Sequence, residues 1–447
     1  MLWDSIAFKK SFFRDFLNLT SGYALSQSII LLFSPLLTRL YSPEEFGIFY
    51  FFVTTGSILS VVATGGYEKA VVLAKNEKDS NELFFSSIIL LFCTALISLL
   101  VCAVLYFGEG HIFRNKIEKK MLWMVPIYAF FFGIFRLIQN ANIRHRQFRD
   151  VASSYVNRSA SLSVFQAGWG LAGLGSFGLI LGSCIGQIIP VILQTFKKGL
   201  HADFFSKNMF TNSMKKAKEY AEFPLYRMPS DIMNEFSIQA PLYVLKTIFN
   251  NSIAGLYTFP QKILYQPSKF ISQAVADVFF NKASELYNRG KNLSELTLSI
   301  YKNLFIIGIL PYLCIVLWGP EMFSFIFGKD WEVSGRIASY LSPWMFLVFV
   351  GSPISSIFIV AKKLRFSFYM NLILLVFRIC SLLVGGLIFN DAELMIMLFS
   401  TASVLYWIVS ILFSLHYSKA DLLKIVLFSL FVTLIALAIL LPLKLIY

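Results

Sequence analysis

Residues 260–277 read PQKILYQPSKFISQAVAD. Two lysines, three glutamines and an aspartate stand here in a region otherwise apolar enough to sit in lipid. At 100° per residue, Lys262, Gln266, Lys269, Gln273 and Asp277 fall within about 80° of one another on a helix. They form one polar stripe. Two Lys and one Asp turned toward lipid cost roughly 8–10 kcal/mol on an insertion scale. The stripe is therefore expected to face a watery cavity or protein. Pro260 and Pro267 are expected to bend the helix and free backbone carbonyls, which suits a cavity wall.

The rest of the chain supports a membrane setting for this stripe. Of 447 residues, 57% are hydrophobic and only 14% are charged. Apolar runs long enough to cross a bilayer recur along the whole length. We place thirteen spans near 16–38, 46–65, 83–107, 121–141, 151–174, 176–196, 223–248, 253–280, 298–319, 334–360, 366–388, 394–416 and 425–443. This reads as an all-α polytopic membrane protein. The run from Phe16 is too long for a signal-peptide core and reads as a retained first helix. The five cysteines all lie in apolar runs without metal-ligand spacing and read as small apolar residues; the four histidines are scattered singly.

Charge bias sets the orientation. Of the 39 Lys and Arg, 24 fall in segments expected inside, 8 outside and 7 within spans. This places the N-terminus in the cytoplasm. The outer segment HIFRNKIEKK, with four cations, runs against the trend. The net charge of +14 has no basic soluble domain to carry it, so no nucleic-acid partner is expected. The basic connection 197–222 reads as an amphipathic helix on anionic lipid or as a solvated linker.

The two halves share a plan. PLLTRLYSPEEFGIFY from Pro35 and PLYVLKTIFNNSIAGLY from Pro241 each end a helix in Pro-Leu. Each then gives a cation (Arg39, Lys246), a polar turn, a Gly (Gly47, Gly255) and a new apolar run. A second match pairs the third span with the ninth. The offset is six spans, which keeps orientation and implies parallel repeats about an axis along the membrane normal. Substrate sites in such proteins lie between the halves. We expect a lobe over 1–200, a cytoplasmic linker over 201–222, a second lobe over 223–417 and an extra C-terminal helix over 418–447.

The seventh span is also polar on one side, with Arg227, Ser230, Asp231, Asn234 and Glu235. Arg227 and Asp231 are spaced to pair. Fixed cations at Arg227, Lys262 and Lys269 call for an anion, and phosphate suits both residue types. The acids Asp231, Glu235 and Asp277 are candidates for coupling to a proton or sodium gradient, or to the membrane potential; no other cofactor is expected.

Several segments resemble one family. GGYEKAVVLAKNEKDSNELF (65–84), FNKASELYNRGKNLSEL (280–296), FIFGKDWEVSGRIASYLSPW (325–344) and LTRLYSPEEFGIF (37–49) look like stretches of Wzx-type polysaccharide or O-antigen flippases. These belong to the multidrug/oligosaccharidyl-lipid/polysaccharide exporter (MOP) superfamily. The resemblance implies two six-helix lobes in a MATE-like V, working by alternating access in the cell inner membrane. The implied substrate is an undecaprenyl-diphosphate-linked oligosaccharide, moved to the outer leaflet for surface polysaccharide synthesis. The resemblance puts the diphosphate on Arg227, Lys262, Lys269 and Arg39, with Asn234, Gln266 and Gln273 as further polar lining. It implies a monomer working beside membrane lipids, a polysaccharide polymerase and chain-length proteins. The chain departs from the related lipid II flippases in lacking a mid-membrane Arg in its first helix, and from a twelve-helix plan in its thirteenth span.

Two other readings compete. A membrane glycan polymerase or ligase needs a catalytic outer loop, and the outer loops here are short. A cation-coupled drug exporter of the same fold favours acidic rather than basic cavity residues. The chain is therefore expected to be a transporter, not an enzyme.

Overall fold

The computed structural model describes the backbone over 2–107, 121–198, 207–361 and 363–446. Side chains are described from residue 20 onward, except at 207, 208, 234, 266, 267, 270, 277, 281, 288, 364, 367, 443, 445 and 446 of those stretches. The segment HIFRNKIEKK, expected on the outer side, lies outside the described residues.

Helices account for every regular element among the described residues. They are α1 (Leu2–Leu40), α2 (Pro43–Thr64), α3 (Tyr67–Leu73), α4 (Glu77–Phe107), α5 (Met124–Arg144), α6 (Phe148–Leu171), α7 (Gly175–Lys198) and α8 (Lys207–Glu219). A π-turn (Phe223–Arg227) leads into α9 (Met228–Ile248). Then come α10 (Asn251–Asn288), α11 (Ser294–Phe327), α12 (Glu332–Ile354), α13 (Ile357–Val360), α14 (Leu364–Leu383), α15 (Ala392–Tyr417) and α16 (Leu422–Ile446). A second π-turn, Val384–Ile388, ends α14.

Ten of the helices are long and apolar enough to cross a membrane. The expected spans at 151–174, 223–248 and 253–280 are helical too, as α6, α9 and α10, but these three are not among the ten. Their serines, amides and charges lower their hydropathy, which marks them as helices with a polar task.

Polar side chains are buried beside the apolar core, and large apolar ones are exposed. Ser60, Ser87, Asn142, Ser154, Gln187, Ser334, Ser342 and Ser414 are wholly buried. Leu96, Leu100 and Val104 of α4, and Leu427, Phe431 and Leu434 of α16, are exposed. Lipid tails are as apolar as Leu, so small and polar residues hold the helices together instead. Ser26 of α1 bonds Ser159 of α6 at 2.5 Å, and Asn142 of α5 donates to Gln194 of α7 at 2.9 Å. The cysteines are free, with Cys93 and Cys380 on exposed faces.

The chain divides into two compact units, Met1–Gln239 and Ala240–Tyr447, so the division falls inside α9. Within the first unit α2 packs on α4, α5 and α7, α4 on α5, α5 on α7, and α6 on α7. Five of these pairings recur six spans later in the second unit: α10 with α11 and α12, α11 with α12, α12 with α15, and α14 with α15. The sixth-span offset legible in the sequence is thus present in the packing. Other first-unit pairings have no comparable counterpart among the described residues, the heaviest being that of α1 with α6.

The second helix of each half also differs. α2 stops at Gly65 and Gly66, with φ of +59° and +74°. Glycine enters this left-handed region without a Cβ clash. The chain then restarts as α3. α10 has no such glycine pair and runs unbroken for 38 residues. The bend expected at Pro260 and Pro267 does not interrupt it, whereas α11 is kinked at Trp318.

Candidate functional site

α10 carries the lysine stripe. With a rise of 1.5 Å per residue, Lys262 and Lys269 stand about 17 and 27 Å along the axis from Asn251. The opposite duty falls to Gln261, Ser268, Ser272 and Phe279. Ser272 Oγ donates to the Phe349 carbonyl of α12 at 3.0 Å. The Ser268 hydroxyl is 2.5 Å from that of Tyr312 on α11, and Phe279 is wholly buried. This packed face lies about 120° around the helix from the stripe. Lys269 and Gln273 are exposed and Lys262 is half-buried. Lys269 Nζ sits 5.8 Å from the centre of the Tyr265 ring. The described side chains of the stripe are thus less buried than this packed face.

The seventh-span cluster is tied differently. Arg227 ends the π-turn, and its Nε lies 3.3 Å from Asp231 Oδ1, one turn on. The other oxygen of Asp231 accepts from Lys69 Nζ at 2.5 Å. Asp231 is thus held by two cations. Glu235 accepts from Gln239 Nε2 at 3.3 Å. Arg39 is exposed in the last turn of α1, where its charge suits the negative end of the helix. Arg39, Arg227, Asp231 and Glu235 thus belong to the first unit, and Lys262, Lys269 and Gln273 to the second. The side chains of Asn234, Gln266 and Asp277 lie outside the described residues.

Sequence reasoning missed the part played by α3, which it treated as an inner loop. Three successive residues there reach three different elements. The Tyr67 hydroxyl donates to the Ala217 carbonyl of α8 at 2.8 Å. Glu68, wholly buried, is paired with Arg136 of α5. Lys69 holds Asp231 at the start of α9. Successive helical side chains diverge by about 100°, so a tripeptide serves three neighbours. Arg144 closes the C-terminal end of α3. Its guanidinium donates to the carbonyls of Val71 (3.0 Å), Val72 (3.1 Å), Ala74 (2.8 Å) and Asn76 (2.9 Å). The apolar side of α3, through Ala70 and Val71, packs with Leu83, Leu91 and Leu137.

α8 docks on the same corner. Ser86 Oγ donates to the Ser213 carbonyl at 2.9 Å, and Lys216 Nζ lies 2.7 Å from Glu219 and 3.1 Å from Asp79. Those two carboxylates hold the Lys216 ammonium above its usual range. The signal for this corner was present as GGYEK followed by an apolar run, and as the mid-span Arg136.

These features define an all-helical, multi-pass membrane protein built on a repeated plan, with basic and polar helices set among lipid-facing ones. The chain belongs to the polysaccharide biosynthesis protein family, whose profile matches residues 36–336. It is similar to the succinoglycan biosynthesis transport protein ExoT of Rhizobium meliloti (strain 1021), with 22% identity over 314 residues. That match covers 69% of this chain and 61% of the relative, so the chain spans about six-tenths of the curated protein it matches. In structure it is similar to the lipid II flippase MurJ in an inward closed conformation, with a TM-score of 0.66 and 15% identity, covering 96% of this chain and 99% of that one. It is also similar to a multidrug resistance MATE family transporter of the MOP superfamily in an inward-facing conformation, with a TM-score of 0.61 and 13% identity, over 90% and 94% of the two chains. At such identities the likeness speaks for the fold, and that fold is the MATE-like one expected from the sequence.

Proposed function

We propose that this protein is a flippase for lipid-linked oligosaccharides in the cytoplasmic (inner) membrane. It takes an undecaprenyl-diphosphate-linked repeat unit from the cytoplasmic leaflet and delivers it to the outer leaflet, by alternating access, for synthesis of a surface polysaccharide. The observation that carries this reading is the Lys262–Lys269 stripe, with Lys269 exposed and Lys262 half-buried on a face of α10 away from its packed side, in a chain of the polysaccharide biosynthesis family. An ammonium in a membrane span is expensive to desolvate unless an anion or water meets it. A diphosphate supplies that anion, while the polyprenyl tail stays in lipid.

In this reading Lys269 and Lys262 hold the diphosphate, and Gln273 and Gln266 hydrogen-bond the sugar. Arg227 serves the same anion from the inner end of α9. Arg39, at the other end of its unit, meets it on release. The halves 1–200 and 223–417 act as the two moving lobes, the segment 201–222 links them, and 418–447 is an added helix. An ion gradient drives the cycle through Glu235 or Asp277. The protein transports and does not cut or form glycosidic bonds. It acts as a monomer beside the polymerase and chain-length proteins.

Deleting the gene tests the reading. Surface polysaccharide is expected to be lost while lipid-linked repeat units accumulate on the cytoplasmic side. Loss of glycan without that accumulation points to an earlier biosynthetic step and overturns the assignment.

A further inference from the structure

The second unit buries an arginine that the transport reading does not use. Arg378 of α14 is 5% exposed. Its Cζ lies 4.9 Å from the ring centre of Trp344 on α12 and 5.0 Å from that of Phe399 on α15. Nε donates to Ser403 Oγ at 2.9 Å. Among the described residues Ser403 is its one hydrogen-bond acceptor, and no carboxylate pairs with it.

Two neighbours share the deficit. Trp344 Nε1 and the Tyr257 hydroxyl are buried without a hydrogen-bond partner. Trp344 lies directly beneath the guanidinium. Tyr257, on α10, is close enough to couple electrostatically to it, as are Tyr406 and Tyr265. Indole and guanidinium groups can only donate. The cluster therefore offers several buried protons and one positive charge, and among the described residues only the Ser403 hydroxyl receives one of them. Leaving such groups unmet is costly.

The first unit holds a related arrangement with a different acceptor. Arg158 of α6 is six spans before Arg378. It lies 5.1 Å and 5.4 Å from the ring centres of Phe132 and Phe135 on α5. Its Nε donates to the amide oxygen of Gln187 on α7 at 2.9 Å. Where the first unit provides an amide oxygen, the second provides one serine hydroxyl.

We propose that Arg378, Trp344 and Tyr257 bind a small inorganic monovalent anion of the halide class, enclosed by α10, α12, α14 and α15. The anion accepts from the guanidinium, the indole N–H and the phenol, and neutralises Arg378 within the membrane. The site is separate from the lysine stripe and does not depend on the transport reading.

The test is an anion titration of the full chain, purified in detergent in sodium gluconate. Gluconate is replaced by chloride at constant ionic strength, in parallel with bromide and with inorganic phosphate. Melting temperature and tryptophan fluorescence are read together. Chloride and bromide are expected to raise the melting temperature saturably, by on the order of 2 °C, with bromide quenching part of the Trp344 emission. Tyr257→Phe, which keeps the ring, is expected to shift both titrations about tenfold to higher anion concentration. Arg378→Gln is expected to abolish them, and the wild-type series with Tyr257→Phe decides the matter where Arg378→Gln does not fold. No saturable halide effect, an effect unchanged in Tyr257→Phe, or stabilisation by phosphate alone overturns the proposal. The readout is binding, so its failure leaves the transport reading untouched.

Discussion

Lys69 Nζ lies 2.5 Å from Asp231 Oδ2, joining the short helix after α2 to the first turn of α9 across 162 residues of sequence. Asp231 also meets Arg227 at 3.3 Å. The pair is part-exposed, so its contribution to stability is about 0.5–1 kcal/mol after solvent screening. Its larger effect is positional. Asp231→Ala and Lys69→Ala should each speed amide hydrogen exchange over 223–231. The exchanged pair Lys69→Asp with Asp231→Lys should recover part of the protection. Equal exchange in all four proteins would show that the contact does not hold α9.

Glu68 and Arg136 behave differently because Glu68 is wholly buried. Removing one partner strands a charge. Arg136→Met should destabilise the protein by about 3–5 kcal/mol, while Arg136→Met with Glu68→Leu should recover most of it. Thermal melts in detergent read this directly. A double variant no better than Arg136→Met would contradict the buried-pair account.

Lys269 is expected to serve transport rather than folding, since it is exposed and its nearest described partner is the Tyr265 ring. Lys269→Ala should insert and melt normally yet lower export about ten- to a hundredfold, the loss of one charge-assisted hydrogen bond of about 1.5–3 kcal/mol. Lys269→Arg should retain much of the activity. The measurement is surface glycan against accumulated lipid-linked intermediate. Normal glycan in Lys269→Ala removes Lys269 from the site.

The acids on α9 should separate under an imposed ion gradient. Asp231 is neutralised by two cations, whereas among the described residues Glu235 meets Gln239 alone. Glu235→Gln should therefore blunt the response of transport to the gradient by about tenfold, a coupling of about 1.4 kcal/mol, and Asp231→Asn should act through the tether. Unaltered coupling in Glu235→Gln, Asp231→Asn and Asp277→Asn together would exclude all three from ion coupling.

The span plan was legible because apolar length is a local property. The stripe on α10 was legible because five residues at helical spacing announce a face without reference to any neighbour. The six-span repeat came from short motifs, and the packing pairs carry it further than the motifs did. The missed parts are tertiary. Glu68 and Lys69 look solvated in GGYEKAVVL, and only the fold shows that Arg136 and Asp231 come to meet them. Arg158 and Arg378 were visible as charges within spans. Nothing in the sequence shows that one meets Gln187 and the other Ser403. The continuity of α10 through Pro267 was also hidden, since helix packing decides whether a proline bends a span.

The tripeptide Tyr67–Lys69 has a consequence for how this region can change over time. Each of its residues serves a different neighbour, so their directions are set by position along one helical turn. Adding or removing one residue there turns every later side chain of α3 by about 100° and carries the Arg144 carbonyl cap out of register with it. Related chains can exchange side chains in this segment in compensating pairs, but its length is fixed. Aligned relatives should show substitutions between Gly65 and Asn76, and no gap.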